Sequence, residues 1–136
     1  MDTLTTSQEI LTQLRFATKI PYREAMGTRI ESLLEAFQQD SSGVAASVKS
    51  LQSLLTFLEA HPSLKYPSLT LTPSGDFYAS WKENRTHVFS VQFLDNSQVR
   101  FVVLRVEPAA QLSGLTTPAT LMSVVAPLHV MEWAAQ

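Results

Sequence analysis

A chain of 136 residues, 45% hydrophobic and 16% charged, has the length and balance of one domain with a sizeable core. Its net charge of −2 gives no global pull toward nucleic acid or anionic membrane, and the absence of cysteine excludes disulfides, thiolate chemistry and cysteine metal sites. MDTLTTSQEI lacks a basic region leading into an apolar one, and no apolar run reaches the ~18 residues of a membrane span, so a soluble cytoplasmic protein is expected.

Thr6-Ser7-Gln8-Glu9 fits a capping box, with Thr6 as N-cap and Glu9 reaching back. The helix it opens carries Ile10, Leu11, Leu14 and Ala17 at helical spacing. Pro21 ends that helix or begins the next, which is predicted from about Tyr22 to Gln38 with Met26, Ile30, Leu33, Leu34 and Phe37 facing inward. Asp40-Ser41-Ser42-Gly43 has turn chemistry, and a third helix follows, with Val44, Val48, Leu51, Leu55 and Leu58 along one side and Leu54 beside them. His61-Pro62 ends it. Leu69-Thr70-Leu71-Thr72 alternates like a short strand at a sheet edge, and Pro73-Ser74-Gly75-Asp76 turns the chain into its central run.

That run, Gly75 to Glu107, reads as three antiparallel strands, and six of the chain's twelve aromatic residues lie within Phe77–Phe101. Successive strand side chains point to opposite faces. One face therefore collects Phe77, Ala79, Trp81, Phe89, Val91, Phe93, Val99, Phe101 and Val103. Keeping these together requires loops of odd length, which Glu83-Asn84-Arg85 and Asp95-Asn96-Ser97 supply with Asn at hand for a positive φ. The expected register pairs Phe77 with Val91, Ala79 with Phe89 and Trp81 with His87, then Phe93 with Val99 and Val91 with Phe101. Arg105 falls on the aromatic face at the strand's end, where its stem can pack while its head reaches water. Pro108 stops the third strand, Gln111–Leu115 is read as another short one, and Thr117-Pro118 opens a helix through Val124 and Val125 to Ala126. Beyond Pro127, His129–Trp133 is read as a last strand. The fold class is α+β: three N-terminal helices on one face of an antiparallel meander of four or five strands, with a short C-terminal helix.

Chemistry-bearing motifs are sparse. His61, His87 and His129 fall on three elements without metal-ligand spacing, and no GxSxG, GxGxxG or phosphate loop is present, so no catalytic, cofactor or metal residues are assigned. Two surfaces remain. Arg15, Lys19, Arg23 and Arg29 are four basic residues against Glu24, with Arg15 and Lys19 one helical turn apart, a possible nucleic-acid-binding stretch or a solvated helix side. On the sheet's second face Tyr78, Val88, Leu94, Val102, Leu104 and Val106 are too apolar for free solvation, whereas Ser80, Lys82, Ser90, Gln92 and Arg100 are too polar for a core. Either the C-terminal helix partly covers it with Leu121, Val124 and Val125, or a protein partner or second copy does, anchored on Tyr78, Arg100, Val102 and Leu104, with Arg105 as a further candidate anchor. The leading expectation is a non-enzymatic protein-binding module that neutralises or regulates its partner; the alternative is a nucleic-acid-associated protein.

Overall fold

A computed structural model describes residues 7–16, 19–40, 45–106 and 109–136. Three helices come first: α1 (Ser7–Arg15), α2 (Arg23–Asp40) and α3 (Val48–Ala60). Five strands follow, β1 (Ser68–Leu71), β2 (Phe77–Glu83), β3 (His87–Phe93), β4 (Val99–Val106) and β5 (Ala109–Thr116). Then come α4 (Pro118–Val125), a 3-10 turn (Ala126–Leu128) and α5 (Met131–Ala134). The sheet is an antiparallel meander in the order β1-β2-β3-β4-β5. The expected α+β class is observed. The Thr6 cap, Ala17, Val44, the turn residues Ser41 to Gly43, and Pro108 lie outside the described residues.

The aromatic face is the core. Phe77, Ala79, Phe89, Val91, Phe93, Val99 and Val103 are fully buried, in one cluster with Ile10, Leu14, Met26, Ile30, Leu51, Leu54 and Phe57 from the three helices. Leu33 and Leu34 pack against this cluster while remaining partly exposed. Inside the core, the Trp81 ring stacks on Phe89 at 5.3 Å, and Phe57 approaches Phe93 at 5.8 Å.

A few polar contacts fix α3 on the sheet. Ser47 caps the helix, its Oγ accepting from Ser50 N–H, and the same hydroxyl donates to Asp95 at 2.5 Å. Fully buried Ser50 joins α3 to the end of the β2–β3 ladder: Phe77 N–H donates to its Oγ at 2.7 Å, and the hydroxyl donates to the Phe93 carbonyl. Gly75 lies beside this junction at φ +91°, and a Cβ there would stand 2.7 Å from the Ala45 carbonyl oxygen. Only glycine fits both constraints.

Three expectations are corrected. Trp81 pairs with Phe89, not His87, and Phe77 with Phe93, not Val91. The β2–β3 register is shifted by two residues because β2 continues through Glu83 and the loop is Asn84-Arg85-Thr86, with Asn84 at φ 58°. Face assignment survives, since a shift of two preserves the alternation. The expected β3–β4 register is observed, although Ser97 takes the positive φ in its loop. His129–Trp133 does not form a strand: His129 turns the chain at φ 55° and α5 follows, with Trp133 Nε1–H donating to the Trp81 carbonyl at 3.2 Å. Arg105 does not send its head to water. Its guanidinium donates to the Leu128 carbonyl at 2.7 Å, pairs with Glu132 at 3.1 Å and stands 5.9 Å from the Trp133 ring centre. It is the staple that holds the C-terminal segment against the sheet.

Candidate partner-binding face

The C-terminal helix does not cover the second face. Leu121 and Val125 of α4, and Val130 and Trp133 beyond it, are buried in the same cluster as the aromatic face. Every described helix therefore lies on one side, because that side holds the apolar area a helix stripe can match. No described residue covers the other side. Val102 is 39% exposed, Leu104 37% and Val106 52%, while Val99, Phe101 and Val103 in the same strand are buried.

Register converts this face into rows. Thr70, Tyr78, Gln92, Arg100 and Leu115 lie side by side across the five strands. Ser68, Ser80, Ser90, Val102 and Ser113 form the next row, and Lys82, Val88, Leu104 and Gln111 the one after, followed by Val106 beside Ala109. Tyr78, Arg100, Val102 and Leu104 thus share one surface, on β2 and β4. The apolar residues gather on β3, β4 and β5 in Val88, Val102, Leu104, Val106 and Ala109. Ser80 and Ser90 are small enough to be buried among taller neighbours, and their hydroxyls share a hydrogen bond of 2.9 Å. Gln92 is held by the buried Asp76 carboxylate, to which its Nε2 donates at 3.0 Å. With Asp76 so engaged, the exposed charges on the face are Lys82 and Arg100, both cationic. Leu115, 56% exposed, completes the first row, and the sequence reading missed it. The signal was present: 109–116 alternates, but its phase is readable only against the β4 register.

The basic residues near the N-terminus are not gathered into an open stripe. Helix α1 ends at Arg15, so Lys19 is not one turn along the same helix but an exposed residue of the α1–α2 connection. Arg15 pairs with Glu31 at 2.5 Å and with Glu24 at 3.6 Å. Arg23 Nη1 donates to the Ile20 carbonyl at 3.3 Å, and Arg29 Nη2 to the Leu69 carbonyl at 3.1 Å.

A separate groove of about 670 Å³ runs along α3 from Lys49 to His61 and is closed by Ser97 and the start of α4 at Pro118. His61 sits against Phe57 at 4.8 Å, and partial burial lowers its pKa below the usual 6.5, favouring the uncharged ring. Among the described residues, the groove's hydroxyls, Ser53, Thr56, Ser97 and Thr117, make no hydrogen bond to that ring, and no carboxylate lines it. It offers shape without a nucleophile–base pair. His87 bonds Thr86 Oγ1 through Nδ1 at 2.8 Å and leans on Trp133 at 4.8 Å, a packed position. Among the described residues no three His, Asp or Glu side chains converge as metal ligands, and no helix is long and apolar enough to cross a membrane.

No protein-family model, curated protein or solved structure matches the chain.

Proposed function

We propose that this chain is a non-enzymatic protein-binding module that neutralises or regulates one protein partner through the open face of its sheet. The supporting observation is the asymmetry of β4: alternate residues are buried under helices, whereas Val102, Leu104 and Val106 stand exposed beside Arg100. Contiguous exposed apolar patches of this kind mark interaction surfaces. Tyr78 and Arg100 are the anchors, being residue types enriched among interface hot spots. Since the exposed charges on the face are Lys82 and Arg100, the partner carries carboxylates around an apolar contact.

The test is capture of a partner by the immobilised chain, at rising salt, with a Tyr78→Ala, Arg100→Glu double variant alongside. The variant is expected to keep the circular dichroism and melting temperature of the parent and to lose the partner. Unfolding would place the face in the core and end the proposal; undiminished capture would move the site elsewhere. A nucleic-acid reading through Arg15, Lys19, Arg23 and Arg29 has less support, because three of the four guanidinium or ammonium heads are engaged within the chain. Salt-dependent retention on DNA or RNA, lost when Lys19 and Arg23 are neutralised, would favour it.

A further inference from the structure

The two rims of the sheet differ. Val106 N–H donates to the Thr86 carbonyl at 3.0 Å and Leu94 N–H to the Gln98 carbonyl at 2.9 Å, so even-numbered residues of β3 and β4 direct their backbone groups at each other. Odd-numbered residues of β4 then bond β5, through their partners Ala110, Leu112, Gly114 and Thr116. Ala109, Gln111, Ser113 and Leu115 are left with N–H and C=O pointing outward, and no described strand meets them.

The same reasoning applied to β1, where Thr72 N–H donates to the Asp76 carbonyl, turns Leu69 and Leu71 outward. There the Leu69 carbonyl is taken by Arg29 from α2. The β1 rim is four residues long and has its Leu69 carbonyl taken; the β5 rim is eight residues long, and no described residue bonds to it. Its sequence, AAQLSGLT, contains no charged residue and no proline, the devices that ordinarily keep an edge strand from pairing. Moreover Ala110, Leu112, Gly114 and Thr116, on the helix side of β5, are only half-buried. The helical layer stops short of this rim and leaves room beside it.

We propose that β5 is an interface with a second copy of this chain, the two β5 strands pairing antiparallel across a two-fold axis to make one continuous sheet. Centring the axis on Leu112 pairs Ala109 with Leu115 of the partner subunit, and Gln111 with the partner's Ser113. All four outward positions on each strand then find hydrogen-bonding mates of the same kind. Leu112 faces its own copy, and no like charges oppose each other because the strand has none. A foreign strand would have to supply this length and neutrality by chance; a second copy supplies both. The pairing uses backbone groups at the rim and stands apart from the reading of the open face, whose anchors Tyr78 and Arg100 lie on inner strands.

Light scattering and sedimentation of the full chain at micromolar concentrations are expected to return twice the 15.1 kDa of one chain. Ser113→Pro removes only an outward N–H, and Ser113→Lys adds a charge at the rim; each is expected to halve the mass without changing the circular dichroism. Leu112→Cys, in a chain with no other cysteine, is expected to oxidise to a covalent dimer. Facing residues at the axis have Cα atoms roughly 4.5 Å apart, within disulfide reach. Ser113→Cys, offset from its own copy, stays unlinked. Three results would overturn the pairing: a parent chain of single mass at every concentration, which leaves the rim to another protein's strand; a dimer untouched by both Ser113 variants; or equal cross-linking at 112 and 113. Should Ser113→Pro fail to fold, Ser113→Lys and the cysteine pair still decide.

Discussion

Val102 and Val103 are adjacent, chemically identical and on opposite faces of β4, so replacing each by alanine isolates burial from everything else. Both changes delete the same two methyl groups and the same strand preference, and what differs is the surroundings. Val103 is fully buried beneath the helices, whereas Val102 is 39% exposed. At ~0.8 kcal/mol per buried carbon, plus a term for the void left in a close-packed core, Val103→Ala should cost about 2–3 kcal/mol. Val102→Ala should cost under about 1 kcal/mol, since surface substitutions away from special features sit within roughly half a kilocalorie of neutral. Urea unfolding followed by tryptophan emission suits the measurement, because Trp81 and Trp133 are both buried. The expected outcome is a clear fall in the midpoint for Val103→Ala at unchanged slope, and little movement for Val102→Ala. Equal losses would refute the reasoning: the second face would then be packed against something in solution, and the open surface would not exist.

Arg105→Met keeps the packed stem but removes the head from the Leu128 carbonyl and the Trp133 ring, and should cost about 2–3 kcal/mol, whereas Glu132→Gln, at an exposed carboxylate, should cost under about 1 kcal/mol; equal melting shifts would mean the ion pair carries the staple. Gly75→Ala forces a side chain into positive φ and against the Ala45 carbonyl oxygen, with an expected loss of about 2 kcal/mol or more by thermal unfolding; a neutral result would remove the turn from the account of the α3 junction. Tyr22, stacked on Tyr66 at 4.9 Å, has its phenol pKa raised from 10.0 to about 12, by burial first and by the neighbouring Tyr66 second. The folded chain holds that proton more tightly than the unfolded one, so this contribution is intact below pH 10 and is lost as pH rises toward 12. Phenolate absorbance should reveal the late titration, and Tyr22→Phe should flatten the alkaline fall in stability.

Much of the architecture was legible because alternation and helical spacing are local properties. The run from Phe77 to Val106 assigned its faces by parity alone, and parity is insensitive to the two-residue shift that moved Trp81 from His87 to Phe89. Choosing between those registers depends on how far β2 runs before Asn84 turns, which no periodicity records. The C-terminal segment was less legible for a different reason. Leu121, Val125 and Trp133 could have matched either face by hydrophobicity, and the choice was made by contacts distant in sequence: Trp133 on the Trp81 carbonyl and Arg105 on Leu128. Among the site residues, Tyr78, Arg100, Val102 and Leu104 share a surface as the alternation implied, whereas Leu115 joined them only through the β4–β5 register. The basic residues Arg15, Arg23 and Arg29 looked available in sequence because their acceptors, Glu31 and two backbone carbonyls, are visible only in the fold.

The Arg29 contact has a bearing on solubility. Addition of strands to a sheet can continue without limit only when both margins accept newcomers, as in a fibril. With a guanidinium on the Leu69 carbonyl, the β1 margin is obstructed at that point, so the proposed pairing through β5 has no equally open margin at which to continue among the described strands. Replacing Arg29 by a short aliphatic residue would free that carbonyl and is expected to make the chain more prone to higher assembly, read by light scattering against the parent.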